Sequence, residues 1–236
     1  ISLAEFLSLR FSTLTTILFV CFSLALFYFS SFPGLNKIFI GFSALTYLVL
    51  FFLIISFPVS KPFLQRNFIW LTFGVAIHIG FFASLYFLIS QDELVLKYFG
   101  MDITNRAALL IIVLISVLMD SLAFFGGKKF GKSKFLHNVS PNKTIEGFLI
   151  AMILTPITIL VITSSLLEKN FYQFFLLVLI SSFVSVIGDA AISLFKRVVE
   201  VKDTSNLIPG HGGLLDRIDS HLAAIPIFIF TLLILS

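Results

Sequence analysis

Charged residues and cysteine are both scarce in this chain. Asp, Glu, Lys and Arg make up 12% of its 236 residues, whereas an average soluble domain contains about 25%. The single cysteine, Cys21, lies in an apolar run, which excludes a disulfide framework and a cysteine-based zinc site. The sequence also lacks an internal repeat of about 20–50 residues, so a repeat architecture is excluded as well.

Hydrophobic residues dominate instead, at 58% of the chain, with 31 Phe and a mean hydropathy of +1.09. Seven apolar stretches have the length of about 20 residues that crosses a bilayer, at residues 13–32, 38–57, 67–90, 107–126, 144–165, 171–195 and 219–236. We therefore predict an all-α polytopic membrane protein with about seven transmembrane helices. We expect an N-terminal membrane-spanning region over residues 1–106 and a catalytic membrane-spanning region over residues 107–236.

Basic residues are distributed unequally between the two sides of this predicted topology. One side has Lys37, Lys97, Arg106 and Lys169, and the other has Arg10, Lys61, Arg66, Lys128, Lys129, Lys132, Lys134, Lys143, Lys196, Arg197, Lys202 and Arg217. Cytoplasmic loops carry the excess of Lys and Arg. The distribution therefore predicts that the two basic loops, 127–143 and 196–218, face the cytoplasm.

The segment from Ser193 to Ser220, SLFKRVVEVKDTSNLIPGHGGLLDRIDS, concentrates charges and glycines in an otherwise apolar chain. Lys and Arg bind phosphate groups, and carboxylates bind hard cations. A glycine-rich loop lets backbone N–H groups approach an anion. The combination indicates metal-assisted chemistry on a polyphosphate at a membrane surface.

The same segment resembles the signature of the phosphatidate cytidylyltransferases, also called CDP-diacylglycerol synthases. The matching positions are Ser193, Phe195, Lys196, Arg197, Lys202, Asp203, Ser205, Ile208, Pro209, His211, Gly212, Gly213, Leu214, Asp216, Arg217, Ile218 and Asp219. Two upstream elements also resemble this family, at Asp120, Ala123, Phe124 and Gly127, and at Ser140, Pro141, Lys143, Thr144, Glu146 and Gly147. One departure is Ile192, which stands where the family commonly has Glu and removes a carboxylate that a second cation site would use.

The carboxylates of the segment are candidate metal ligands, because ionisable residues inside a membrane are functional by default. Asp189 shares a helix face with Ser193, and Asp216 begins the last predicted span. We expect Asp189 and Asp216 to converge and bind Mg²⁺ together with nucleotide phosphates. The alternatives are an ion pair of Asp189 with Lys196 or Arg197, and an ion-pair or capping role for Asp216. For Asp219, helix capping with Ser220 and direct substrate contact are both open.

The basic residues and glycines are candidate phosphate ligands. The predicted catalytic group adds Lys196, Arg197, Lys202 and His211 to the two metal ligands, and the predicted substrate-binding residues are Asp120, Lys143, Ser193, Asp203, Gly212, Gly213, Arg217 and Asp219. His211 would donate to the departing pyrophosphate or to another phosphate. The other lysines of loop 127–143 are assigned to membrane topology alone.

The resemblance implies that CTP and phosphatidic acid are converted to CDP-diacylglycerol and pyrophosphate, with Mg²⁺ as cofactor. The expected partners are these two substrates and the lipid bilayer, with homodimer formation left open and no nucleic acid. The alternatives are a CTP-dependent polyprenol-type lipid kinase and a transporter. Members of the family usually have eight or nine spans, and the chain starts at Ile1 in an apolar segment. We therefore expect further membrane-spanning sequence upstream.

Overall fold

The computed structural model describes residues 1–30, 32, 34–91, 98–100 and 104–235, except for the side chains at 29, 30 and 105. All the regular elements in these residues are helices: α1 (Ser2–Ser8), α2 (Thr13–Ser30), α3 (Leu35–Ile55), α4 (Lys61–Leu64), α5 (Asn67–Ser90), α6 (Asn105–Phe130), α7 (Ile145–Thr163), α8 (Phe171–Val198) and α9 (Leu215–Leu235). The prediction of an all-α fold is confirmed.

Six of these helices, α3 and α5 to α9, are long and apolar enough to cross a membrane. Helix α2 is apolar but shorter in its described part, Thr13–Tyr28. The six spans and α2 coincide with the seven stretches predicted from the sequence, so the predicted count of about seven is roughly matched. Large apolar side chains exposed on the outer helices, such as Phe52, Leu110 and Val161, give the surface that lipid tails require.

Helices α8 and α9 form the centre of the bundle, since 61% of each span is buried, against 28% for α6 and α7. Gly188 allows α8 and α9 to approach closely. A Cβ atom at this position would lie 2.6 Å from the Asp219 carbonyl oxygen and 2.7 Å from the Ala223 Cβ. The close contact brings Asp189, the next residue in α8, against the first turns of α9.

Helices α6 and α7 pack together through a second glycine contact. A Cβ atom at Gly147 would lie 2.4 Å from the Ala123 carbonyl oxygen and 2.9 Å from the Gly127 Cα. Thr144 caps the start of α7, because its hydroxyl accepts a hydrogen bond from the Gly147 N–H at 3.2 Å. The cap places Lys143 at the helix start, facing the central helices.

The buried core includes residues from both predicted regions of the chain. Phe6 of α1, Trp70 of α5 and Phe195 of α8 form a triangle of rings with centroids 4.8–5.3 Å apart. All three side chains are fully buried. The aromatic triangle holds the N-terminal helix α1 against the end of α8. The division into regions 1–106 and 107–236 stays a prediction.

Candidate active site

A cavity of about 570 Å³ opens among α6, α7, α8 and the basic loop that joins α6 to α7. Its walls include two acidic side chains, Asp120 and Asp189, and three basic ones, Lys128, Lys134 and Lys143. Asp189 lies nine residues before the end of α8, which is roughly 14 Å along the helix axis at 1.5 Å per residue. The cavity therefore leads from the basic loop into the apolar layer.

Lys143 lies at the centre of three carboxylates that come from three helices. Its ammonium group forms an ion pair with Asp189, and Asp120 of α6 and Asp219 of α9 are close enough to act on it electrostatically. Burial lowers the pKa of Lys143, but the attraction of Asp189 and the other two carboxylates outweighs burial and raises the pKa above its ordinary value. We call Asp120, Asp189 and Asp219 the carboxylate cluster.

The side chain of Asp189 also accepts a hydrogen bond at 3.3 Å from Ser193, one helical turn later. This contact confirms that the two residues share a face of α8. The ion-pair partner of Asp189 is Lys143, which differs from Lys196 and Arg197, the partners considered from the sequence. Asp120 is exposed to the cavity, and the hydroxyl of Ser220 in α9 lies near it.

Asp216 is engaged in a separate network at the start of α9. One carboxylate oxygen accepts from Lys196 at 2.7 Å. The other oxygen accepts from the Thr204 backbone at 2.8 Å, the Thr204 hydroxyl at 2.9 Å and the Gly213 backbone at 2.9 Å. The ion pair that was the alternative for Asp216 is present in this structure. Three of these four donors belong to the preceding loop, which Asp216 thereby holds in place.

We call residues 199–214, which join α8 to α9, the signature loop. Its tip is a tight turn in which Ile208 and Gly212 pair, with the Ile208 N–H donating to the Gly212 carbonyl at 2.8 Å. Gly210 and Gly212 have φ angles of +72° and +82°, which are accessible to glycine at little cost. Arg217 of α9 donates to the His211 carbonyl oxygen at 2.5 and 3.2 Å. This contact holds the tip beside α9, with the His211 side chain exposed.

The other predicted phosphate ligands lie around this loop. Lys202 and Asp203 are exposed on it. Arg197, at the end of α8, donates from Nε to the Val139 carbonyl oxygen at 3.1 Å, so it also braces the basic loop that carries Lys143. The residues of the site thus form two groups. One is the carboxylate cluster with Lys143, and the other is the signature loop with Asp216. Lys196 links the two groups because it pairs with Asp216 and also acts electrostatically on Asp219.

The carboxylate cluster offers carboxylate oxygens, the ligand type that a hard divalent cation prefers, from three helices around the half-buried ammonium group of Lys143. In the described part of the chain no three acidic, His or Cys side chains converge at ion-binding spacing; Lys143 lies among the carboxylates. Asp189 and Asp216 were the predicted ligand pair. The electrostatic neighbours of Asp189 are Asp120 and Asp219, whereas the oxygens of Asp216 already accept from the signature loop and Lys196.

Two residues of the site were not among the predicted ones. Thr204 is buried and gives two of the donors to Asp216. Glu5 of α1 is 7% exposed and accepts from Ser205 and from the start of α9. A carboxylate in the apolar run ISLAEFLSL indicates a functional residue, so the sequence alone could identify Glu5 as a candidate. Its partners were not, because they lie 200 or more positions along the chain.

Comparison with known proteins identifies the family of this chain. The sequence model of the cytidylyltransferase family matches residues 2–235, nearly the whole chain. The chain belongs to the cytidylyltransferase family. Among its relatives, the phosphatidate cytidylyltransferase of Haemophilus influenzae is 39% identical over 183 residues, which is 75% of this chain and 62% of the relative. That of Bacillus subtilis is 44% identical over 124 residues, which is 50% of this chain and 44% of the relative.

A third relative, the uncharacterized protein YnbB of Escherichia coli, is 38% identical over 125 residues, or 52% of this chain and 42% of the relative. The chain thus spans about half of the length of the curated relatives it matches. The expected resemblance to the phosphatidate cytidylyltransferases is confirmed at the level of the family.

Proposed function

We propose that this member of the cytidylyltransferase family transfers a cytidylyl group from CTP to phosphatidic acid, which yields CDP-diacylglycerol and pyrophosphate. The observation that supports it best is the cavity, where Lys143 and the carboxylate cluster lie between the basic loop and the apolar part of the bundle. A lipid phosphate reaches such a site from the bilayer, and a nucleotide reaches it from the aqueous side. The relatives named phosphatidate cytidylyltransferase support the same reaction.

In this reaction a phosphate oxygen of phosphatidic acid attacks the α-phosphorus of CTP. The new P–O bond forms as the bond between the α-phosphorus and the bridging oxygen to the β-phosphate breaks, and pyrophosphate leaves with the electron pair. The nucleophile is already anionic, so no residue has to remove a proton. The protein must instead bring two anions together and stabilise the charge that develops on the leaving group.

The residues of the site are suited to this task. Lys143 neutralises phosphate charge inside the cavity. Lys196, Arg197, Lys202 and Arg217 lie around the signature loop, where they orient the triphosphate, and His211 at the tip donates to the departing pyrophosphate. The carboxylate cluster would hold Mg²⁺, which would supply Lewis-acid stabilisation of the phosphate charge. Lys143 then moves from Asp189 to a substrate phosphate, since both groups compete for the same ammonium.

The proposal includes a location, with the cavity and the signature loop on the cytoplasmic side of a bacterial-type inner membrane. The contacts between loops support a common side for the basic residues. Lys61 pairs with Glu200 at 2.9 Å, and Asn138 donates to the Phe57 carbonyl oxygen at 3.2 Å. The homodimer left open from the sequence stays a prediction, which cross-linking in membranes would test.

Two labelled nucleotides test the reaction. Purified protein is incubated with phosphatidic acid, Mg²⁺ and CTP labelled at the α- or the γ-phosphate, and lipids are separated by thin-layer chromatography. The proposal predicts α-label in a CDP-lipid and γ-label in pyrophosphate. A lipid kinase would instead transfer γ-label to a lipid such as a polyprenol and release CDP. A transporter would leave both labels in CTP, and either of these results would reject the proposal.

A further inference from the structure

Glu5 is a buried carboxylate that the proposed reaction does not use directly. It lies in α1, where the neighbouring Phe6 packs between Trp70 and Phe195, and it is 7% exposed. In the described residues no Lys, Arg or His side chain forms an ion pair with it. Burial of a charge is costly unless other groups compensate for it, so the groups that face Glu5 determine its role.

The groups that face Glu5 all belong to the signature loop and the start of α9. Oε1 accepts from the Ser205 hydroxyl at 2.6 Å and from the Leu214 N–H at 3.1 Å, and Oε2 accepts from the Leu215 N–H at 2.7 Å. Leu215 is the first residue of α9. The free N–H groups of a helix start carry a partial positive charge that stabilises a carboxylate. Glu5 thus joins both ends of the loop segment 205–214 to α1.

Asp216 also holds the signature loop, because its carboxylate accepts hydrogen bonds from Thr204 and Gly213. The two carboxylates meet at Gly213, where a Cβ atom would lie 2.2 Å from the Thr204 hydroxyl and 2.9 Å from Glu5 Oε1. The turn with His211 and Gly212 lies between these anchors. A displacement at Glu5 would therefore move the turn relative to Arg217.

We infer that Glu5 is a positioning residue for the nucleotide: by fixing Ser205, Leu214 and Leu215 it holds the signature loop in the shape that receives the CTP phosphates. The inference rests on the proposed function for the identity of the nucleotide. A carboxylate that only stabilises the bundle would affect both substrates alike. A carboxylate that shapes the signature loop affects CTP selectively.

The variant Glu5→Gln keeps the size of the side chain and removes its charge. We expect the KM for CTP to rise about 10- to 100-fold, the range seen when a group that orients a ligand-binding residue is lost. The KM for phosphatidic acid should stay within about twofold. Ser205→Ala, which leaves α1 intact, should raise the KM for CTP in the same direction by a smaller factor. Ser8→Ala is the matched control, because its hydroxyl donates to the Glu5 backbone carbonyl at 2.9 Å and not to the Glu5 carboxylate.

Hydrogen exchange tests the loop contact without any activity. The Leu214 and Leu215 amides should exchange at least about 10-fold faster in Glu5→Gln than in the unmodified protein, while amides in the middle of α8 stay unchanged. Unchanged exchange at these two amides would reject the contact. Faster exchange with an unaltered KM for CTP, or with equal changes for both substrates, would reject the positioning role. Failure of the unmodified protein to form a CDP-lipid would reject the proposed function, while the exchange result still tests the contact.

Discussion

At the scale of single residues, the aspartates of the site have different surroundings. Asp189 and Asp216 both looked like metal ligands from their positions near helix ends. Their surroundings differ, because Asp189 lies beside a cavity with Lys143, whereas Asp216 accepts four hydrogen bonds from the loop and Lys196. In this structure the Asp216 carboxylate holds the signature loop, whereas the Asp189 carboxylate faces the cavity. Binding of Mg²⁺ by this pair stays a prediction.

Asp189→Asn should lower kcat/KM by about 100-fold or more, because removal of one charge-stabilising group at the reacting centre has effects of this size. The protein should still insert and purify, since the amide keeps the shape of the side chain. Initial rates are measured over a range of Mg²⁺ concentrations. Glu200→Gln is the control, since this carboxylate is 79% exposed and pairs only with Lys61. Near-normal turnover of Asp189→Asn at every Mg²⁺ concentration would exclude Asp189 as a metal ligand.

Arg197→Gln should depress kcat/KM by about 10²–10³-fold if Arg197 stabilises a developing phosphate charge. The structure adds a second reason for a loss, because Arg197 also holds the Val139 carbonyl of the basic loop. Lys129→Gln is the comparison, since Lys129 is exposed and lies over the Phe130 ring. Both variants leave eleven of the twelve predicted cytoplasmic positive charges, enough for orientation. Small and equal effects on turnover would reject the phosphate-binding role.

At the scale of elements, glycines decide how closely the helices of the site approach. Gly188 brings α8 against α9, and Gly147 brings α7 against α6. Without these contacts the carboxylate cluster, whose members come from α6, α8 and α9, would be spread apart. The signature loop depends on glycine for another reason, because Gly210 and Gly212 have positive φ angles.

Gly188→Ala should destabilise the protein by about 1–3 kcal/mol, the usual cost of an extra methyl group in a well-packed interior. The new Cβ would lie 2.6 Å from the backbone of Asp219, which cannot move without shifting α9. Activity should fall as well, because the same shift of α9 would move Asp219 away from Asp189. Thermal unfolding in detergent measures the effect.

Gly41→Ala in α3 is the matched control, since its Cβ would lie 3.8 Å from the Phe230 ring, an ordinary contact. The free energy of unfolding of this variant should lie within a few tenths of a kcal/mol of that of the unmodified protein. Equal stability of the two variants would show that the α8–α9 contact adapts to the larger residue.

At the scale of the whole molecule, the loops on one side of the bundle contact one another. Arg10 donates to the Asn67 side chain at 2.8 Å, Lys61 pairs with Glu200, and Arg197 reaches Val139. These contacts join residues from four separate segments of the chain. They place these three basic residues on one side of the bundle, where their positive charge would attract anionic substrates.

Single cysteines in a Cys21→Ser background test the orientation in intact cells with a thiol reagent that does not cross membranes. Ser133→Cys and Asn206→Cys, both at exposed positions on the two basic loops, should react only after the cells are opened. Thr204 is unsuitable because it is buried. Ser165→Cys, exposed after α7, should react from outside. Labelling of position 133 or 206 in intact cells would show that these loops face outward, which is opposite to the predicted topology.

The sequence alone determined the class of fold and identified the segments that form the candidate site. Helix number follows from apolar length, because a backbone in lipid must satisfy its own hydrogen bonds and forms helices of a fixed span. The charged residues of the segment from Ser193 to Ser220 were recognisable because charge is costly in such a chain. Lys143, Thr144 and Gly147 were found through a local pattern whose capping contact lies within four residues.

The tertiary structure alone decided which of these residues act together. The grouping of Asp120 with Asp189 and Asp219, the engagement of Asp216 by Thr204, and the contact of Glu5 with Leu215 all join distant segments. Each depends on how the helices rotate and approach, which the side chains at their contacts set through packing. Local periodicity places a residue on a helix face, but the neighbouring helix determines what that face meets.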